Sequence, residues 1–198
     1  LPQDDKLRQV VTILNPLGED FSIMRTSPLN GLLTSLSTNY NRRNKDVRLY
    51  ELGNIYLPHQ FPLTERPDER MQFTLGMYGE GDFYTMKGVI EEFFDAVGMK
   101  KKALYDPNAG KPFLHPGRQA DIVYDGETVG YLGEVHPVVC KNYDIAAKVY
   151  VAVLDMPLIV NKTTFDRKYE GIAKYPAVSR DISMVVPKNV LAGQIEDM

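Results

Sequence analysis

A single cysteine, Cys140, is all the thiol chemistry in 198 residues, so no disulfide can close within the chain. A lone free thiol fits a reducing cytoplasm better than an oxidising compartment. Long apolar runs are also missing: none approaches the roughly 20 residues that span a bilayer, and the polar opening Leu1 to Gln9 has the form of neither a signal nor a transit peptide. No membrane partner is expected. There is no excess of positive charge either, the formal net charge being −3. The chain therefore lacks the global field that holds non-specific nucleic-acid binders on phosphate, and any RNA contact must be local. The three histidines, His59, His115 and His136, have no histidine or cysteine at zinc-ligand spacing. His115 and His136 each precede a proline, which biases both to extended or turn backbone and reads as turn packing. Gly79-Glu80-Gly81 lacks the third glycine and the lysine of a phosphate loop. Glu91 and Glu92 are adjacent on a helical stretch, point different ways and make no catalytic pair. Cys140 follows Val138-Val139 with no base nearby and reads as a buried structural thiol.

What is present is the composition of a globular chain, 43% hydrophobic and 25% charged, with regular patterning. Val10 to Leu14 reads as a strand ended by Asn15-Pro16. Ser27 stands as an N-cap before Pro28, and Leu29, Leu32, Leu33, Leu36 and Tyr40 recur at helical spacing, predicting an amphipathic helix over about 27 to 42. Val47 to Tyr56 reads as a strand, 58 to 70 as a proline-bearing loop, and Met71 to Tyr78 alternates with a period of two. Asp82 caps a helix carrying Phe83, Met86, Val89, Ile90, Phe93, Phe94 and Val97, stopped by Gly98. Lys100-Lys101-Lys102 reads as a solvated face, with a phosphate contact as the alternative. Ala120 to Tyr124 and Thr128 to Val135 flank Asp125-Gly126 as a hairpin, and a strand spans about 147 to 155 with Val149, Val151 and Val153 on one face. Beyond Asn161 the chain turns charged, placing a boundary there. Arg180 to Val186 reads as a further strand, with Val190, Leu191 and Ile195 opening a helix. A strand and a broken helix do not close a core.

The order of short phrases resembles a known family. Asn15-Pro16-Leu17, Met24 to Ser27, Gly31-Leu32-Leu33, Leu49 to Tyr56, Lys87-Gly88, His115 to Ala120, Gly130 to Pro137 and Tyr175 to Ile182 are similar, in sequence and in order, to the beta subunits of bacterial phenylalanyl-tRNA synthetases. The resemblance implies an α+β fold: a class II aminoacyl-tRNA synthetase-like antiparallel sheet flanked by helices over 1–161, then at 162–198 a connector and the truncated start of a ferredoxin-like, anticodon-binding domain. It places the editing and magnesium-binding regions upstream of Leu1.

The resemblance also implies where chemistry is lost. Catalytic class II sites hold ATP phosphates with arginines, because phosphoryl charge must be neutralised for adenylate formation. The position of one such arginine is here Leu57, and the glycine- and arginine-bearing motif at the last core strand is replaced by Leu154, Asp155, Met156, Pro157 and Leu158. No catalytic, cofactor or metal residue is expected in the chain, although the parent complex uses ATP and magnesium. The implied role is a non-catalytic assembly domain of a phenylalanine-tRNA ligase, cytoplasmic, partnered by the catalytic alpha subunit in an alpha2-beta2 heterotetramer and by the phenylalanine tRNA. Leu29, Leu32, Leu33 and Leu36 are the expected subunit interface, the alternative being that the stripe is intramolecular core. The rival functions are an independent synthetase-like ligase, opposed by the missing arginines, and an RNA-binding module, opposed by the net charge and by the lack of a basic and aromatic stripe.

Overall fold

The computed structural model describes residues 1–164, 171, 174–188, 190 and 192–196. The chain divides into two units, Leu1–Arg167 and Lys168–Met198.

The first unit opens with β1 (Val11–Thr12) and β2 (Ile23–Met24), a two-stranded antiparallel ribbon. It is shorter than the five-residue strand expected at 10 to 14. Helix α1 runs Leu29–Asn41. It starts two residues later than its sequence signals, with Pro28 as the cap residue, while the Ser27 hydroxyl accepts from the Leu29 amide at 3.3 Å. Strands β3 (Val47–Leu57) and β4 (Asp68–Tyr78) pair without interruption from Val47 opposite Tyr78 to Leu57 opposite Asp68. The expected loop over 58 to 70 therefore ends early, since Asp68, Glu69 and Arg70 already belong to β4.

Helix α2 (Phe83–Ala96) begins at a reciprocal capping box. The Asp82 carboxylate accepts from the Thr85 amide at 2.9 Å, and the Thr85 hydroxyl accepts from the Asp82 amide at 3.2 Å, which satisfies two otherwise orphaned donors. A short strand β5 (Leu104–Asp106) leads to β6 (Leu114–Tyr124) and β7 (Glu127–Val135). The turn between these two has Asp125 at φ 52° and Gly126 at φ 78°, the positive-φ pair a two-residue hairpin requires. Helix α3 (Pro137–Asn142), strand β8 (Val149–Asp155) and helix α4 (Met156–Lys162) complete the unit.

The six longer and shorter strands form one antiparallel sheet in the order β3-β4-β8-β7-β6-β5. Strand β8 lies inside the sheet and is buried on both faces, which is why it reads as an unbroken apolar run. Val149, Val151 and Val153 face the α1 side, in the cluster that holds Leu29, Leu32, Leu33 and Leu36. Tyr150, Ala152 and Leu154 face the other side, with Met86, Ile90 and Phe94 of α2 and Ile159 of α4. Helix α1 can sit close because Gly76 has no side chain: a Cβ there would lie 2.7 Å from Leu32 Cδ2 and 3.1 Å from Leu36 Cδ1. Leu36, fully buried, contributes on the order of 2 kcal/mol by removal of its surface from water.

In the second unit the described residues include one short helix, α5 (Ala192–Glu196), and no strand. The strand expected at 180 to 186 is not formed, and Ile182, Met184 and Val186 are exposed. Alternation gives a segment a face to bury, but a strand exists only where a neighbouring edge takes up its amides and carbonyls. Leu191 of the helical expectation lies outside the described residues. No helix among the described residues is long and apolar enough to cross a membrane.

Candidate functional site

The phrases His115 to Ala120 and Gly130 to Pro137 fall on β6 and β7, brought side by side with Leu114 opposite Val135. The register between them slips between Leu114 and Gln119, and a bulge of this kind re-aims the side chains it carries. Arg118 Nη1 there donates to both carboxylate oxygens of Glu134, at 2.9 and 2.8 Å. Glu134 is 4% exposed, and a carboxylate that deep keeps its charge only when a cation and hydrogen bonds replace the lost water. Tyr150 stands opposite Glu134 on β8. Burial, then the Glu134 charge, pushes its phenol above the ordinary value.

Both flanking histidines serve turns. His115 Nδ1 accepts from the Gly117 amide at 3.2 Å, and His136 Nδ1 accepts from the Val138 amide at 3.2 Å as the cap of α3. Cys140 is buried, and burial pushes its thiol up and away from the reactive thiolate. Beside these groups opens a cleft of about 630 Å³. Val135, Cys140, Ile145 and Ala147 give it an apolar floor, and Arg118, Lys141 and Lys148 line it with cations. Lys141 and Lys148 are exposed.

The sequence-expected site residues lie elsewhere. Leu57 is the last residue of β3, opposite Asp68. Asp155, at the end of β8, accepts from the Leu158 amide at 3.2 Å as the cap of α4, and its other oxygen lies 3.5 Å from Arg70 Nη1. Met156 and Pro157 form the first turn of that helix. At the positions where the resemblance puts phosphate clamps, the structure thus has an aliphatic side chain and a carboxylate already engaged by a helix cap and by Arg70. No group of three or more His, Cys, Asp or Glu among the described residues could hold a metal ion. Leu29, Leu32, Leu33 and Leu36 are all buried, between 0% and 8% exposed, in the chain's own core. The helix stripe packs on the sheet, through the approach over Gly76, and only Leu29 and Leu33 border a small surface pocket. Of the lysine run, Lys101 pairs with Asp125 at the hairpin turn.

The Arg118–Glu134 pair went unread from sequence, although a signal existed. Counting outward from the Asp125-Gly126 turn sets Arg118 within a step of Glu134, and a glutamate inside the apolar run Tyr131 to Val135 asks for a partner.

A family profile described as the phenylalanyl tRNA synthetase beta chain CLM domain matches residues 1–156. Among curated proteins, the chain is 41% identical over 198 residues to the phenylalanine–tRNA ligase beta subunit of Clostridium acetobutylicum and 39% identical over 198 residues to that of Clostridium tetani. In both cases all of this chain and 25% of the relative are covered, so the chain spans about a quarter of the length of these relatives. Among solved structures, it is similar to the pyrrolysyl-tRNA synthetase of Desulfitobacterium hafniense, with a TM-score of 0.62 at 12% identity, covering 81% of this chain and 55% of that one. At that identity the likeness concerns the fold alone, which is that of the class II tRNA synthetases.

Proposed function

Because the chain belongs to the phenylalanyl-tRNA synthetase beta chain family, we propose that it is a non-catalytic structural and assembly domain in the charging of tRNA with phenylalanine. Its partner in this reading is the catalytic alpha subunit of an alpha2-beta2 heterotetramer, and the tRNA engages through the longer beta subunit in the cytoplasm. ATP and magnesium act at the alpha subunit's site, since adenylate formation needs phosphate-neutralising cations.

The observation that carries the non-catalytic half of this reading is Asp155. Where the family resemblance puts a phosphate-binding motif, this chain has an anion whose oxygens already cap α4 and face Arg70. The interface with the alpha subunit is proposed to use surface other than Leu29, Leu32, Leu33 and Leu36, which the chain's own sheet covers.

Co-expression with a family alpha subunit and size-exclusion chromatography tests the assembly role. A co-eluting complex is expected, with phenylalanine-dependent pyrophosphate exchange only when the alpha subunit is present. Exchange catalysed by this chain alone, or no association with the alpha subunit, overturns the reading.

A further inference from the structure

The cleft beside the Arg118–Glu134 pair combines features that a structural void does not need. Its volume of about 630 Å³ falls within the range of ligand-sized pockets. The floor is apolar, with Val135, Cys140, Ile145 and Ala147. The charge around it is unbalanced. Among the described residues, Lys141 and Lys148 have no ion-pair or hydrogen-bond partner for their ammonium groups. Arg118 spends only Nη1 on Glu134, and among the described residues its Nε and Nη2 have no hydrogen-bond partner. Against these three cations the lining carries two carboxylates: Glu134, neutralised by Arg118, and Asp144.

An apolar floor under unsatisfied cations is complementary to one kind of surface, an apolar side chain flanked by carboxylates on a protein segment. We infer that the cleft is a docking site for an acidic, apolar-anchored segment of the partner alpha subunit. The anchor occupies the floor, and the flanking carboxylates meet Lys141, Lys148 and the free edge of the Arg118 guanidinium. The buried Glu134 holds that guanidinium in place beforehand, which lowers the ordering cost of binding. Phosphodiester is the poorer occupant. It has no use for an apolar floor, and the chain's net charge of −3 gives no long-range attraction to RNA. The inference rests on the proposed association with the alpha subunit and names the surface that carries it.

Two variants of the chain test it in complex with the alpha subunit. The double variant Lys141→Glu/Lys148→Glu reverses the rim charge, and Ala146→Trp fills the cleft without touching a charge. Circular dichroism melts confirm that each remains folded. Both variants are expected to weaken association at least about tenfold at low salt, with the charge-reversed one losing the wild type's salt dependence. Zero-length carbodiimide coupling of the wild-type complex is expected to join Lys141 or Lys148 to Asp or Glu of the alpha subunit. Folded variants that associate as tightly as the wild type overturn the inference while leaving the assembly role standing. So does a wild-type complex in which neither Lys141 nor Lys148 couples to a carboxylate of the alpha subunit. A wild-type chain that fails to bind the alpha subunit overturns both.

Discussion

Arg118 holds both oxygens of the Glu134 carboxylate with one nitrogen, at 2.9 and 2.8 Å, and the two ends of this pair live in different environments. The arginine side chain is 47% exposed and the glutamate 5%. The pair is therefore asymmetric: removing the arginine strands a buried charge, whereas neutralising the glutamate leaves a solvated cation. Arg118→Met is expected to cost about 1–2 kcal/mol, between the value of an exposed pair and that of a fully buried one, because water reaches the arginine. Glu134→Gln is expected to cost less. Urea unfolding of the two variants measures the difference, and a costlier Glu134→Gln would reverse the assignment of which partner needs the other.

The close seating of α1 on the sheet predicts a size limit at Gly76. Any Cβ there meets Leu32 at 2.7 Å and Leu36 at 3.1 Å, so Gly76→Val must push the helix away and is expected to destabilise by about 1–3 kcal/mol. Leu36→Ala, which leaves a cavity at the same contact, is expected to cost about 2–5 kcal/mol. The combination Gly76→Val/Leu36→Ala should cost less than the sum, because the new methyls enter the space the leucine vacates. Strict additivity in denaturant unfolding would show that the two positions do not share the contact.

How much of this architecture was legible follows from what each segment carries locally. Helix α2 was readable because Asp82 and Gly98 bracket a long 3.6-period run, and the β6–β7 hairpin because Asp125-Gly126 names its own turn. Helices α3 and α4 were missed: six and seven residues are too few to show a period. Strand β5 has three residues and exists because β6 offers an edge. The stripe of α1 was legible as apolar, but a stripe does not say what covers it; Gly76, 40 positions after Leu36, decides that. Conversely, Ile182, Met184 and Val186 alternate like a strand and remain exposed, because pairing is a property of two segments. The cleft was invisible for the same reason, since Arg118, Lys141 and Lys148 meet only through tertiary structure.

Helix α2 should make the chain's stability fall on acidification in a traceable way. The Thr85 backbone amide, then its hydroxyl, holds the Asp82 carboxyl below the ordinary carboxylate value. A depressed folded value contributes stability that is fully present above the unfolded value of about 3.9 and is lost as pH falls through the folded one. Asp82→Asn keeps an acceptor for the cap but does not titrate. The Tm of the wild type is expected to drop further than that of Asp82→Asn between about pH 7 and about pH 3. Parallel curves would mean that the cap carries no charge-dependent part.

Asp155 allows the structural role of a carboxylate to be tested apart from the proposed non-catalytic one. As the cap of α4 it satisfies the Leu158 amide, and as a partner of Arg70, 48% exposed, it makes a solvent-screened ion pair. The cap is the larger of the two: removing it costs about 1 kcal/mol, and a screened pair contributes about 0–1. Asp155→Ala loses both and is expected to destabilise by about 1–2 kcal/mol. Asp155→Asn retains the capping acceptor and loses the ion pair, so it is expected to stay within about 0.5 kcal/mol of the wild type. That near-neutral variant then bears on function, because it withdraws the anion from the place where the family resemblance puts a phosphate clamp. Arg70, released from Asp155, is still held by the Asp68 carboxylate at 2.6 Å, and Leu57 remains aliphatic at the other clamp position, so no free cation is expected to meet transition-state phosphate charge. Folded Asp155→Asn is accordingly expected to show no phenylalanine-dependent pyrophosphate exchange. Exchange above background in the absence of the alpha subunit would overturn the non-catalytic reading.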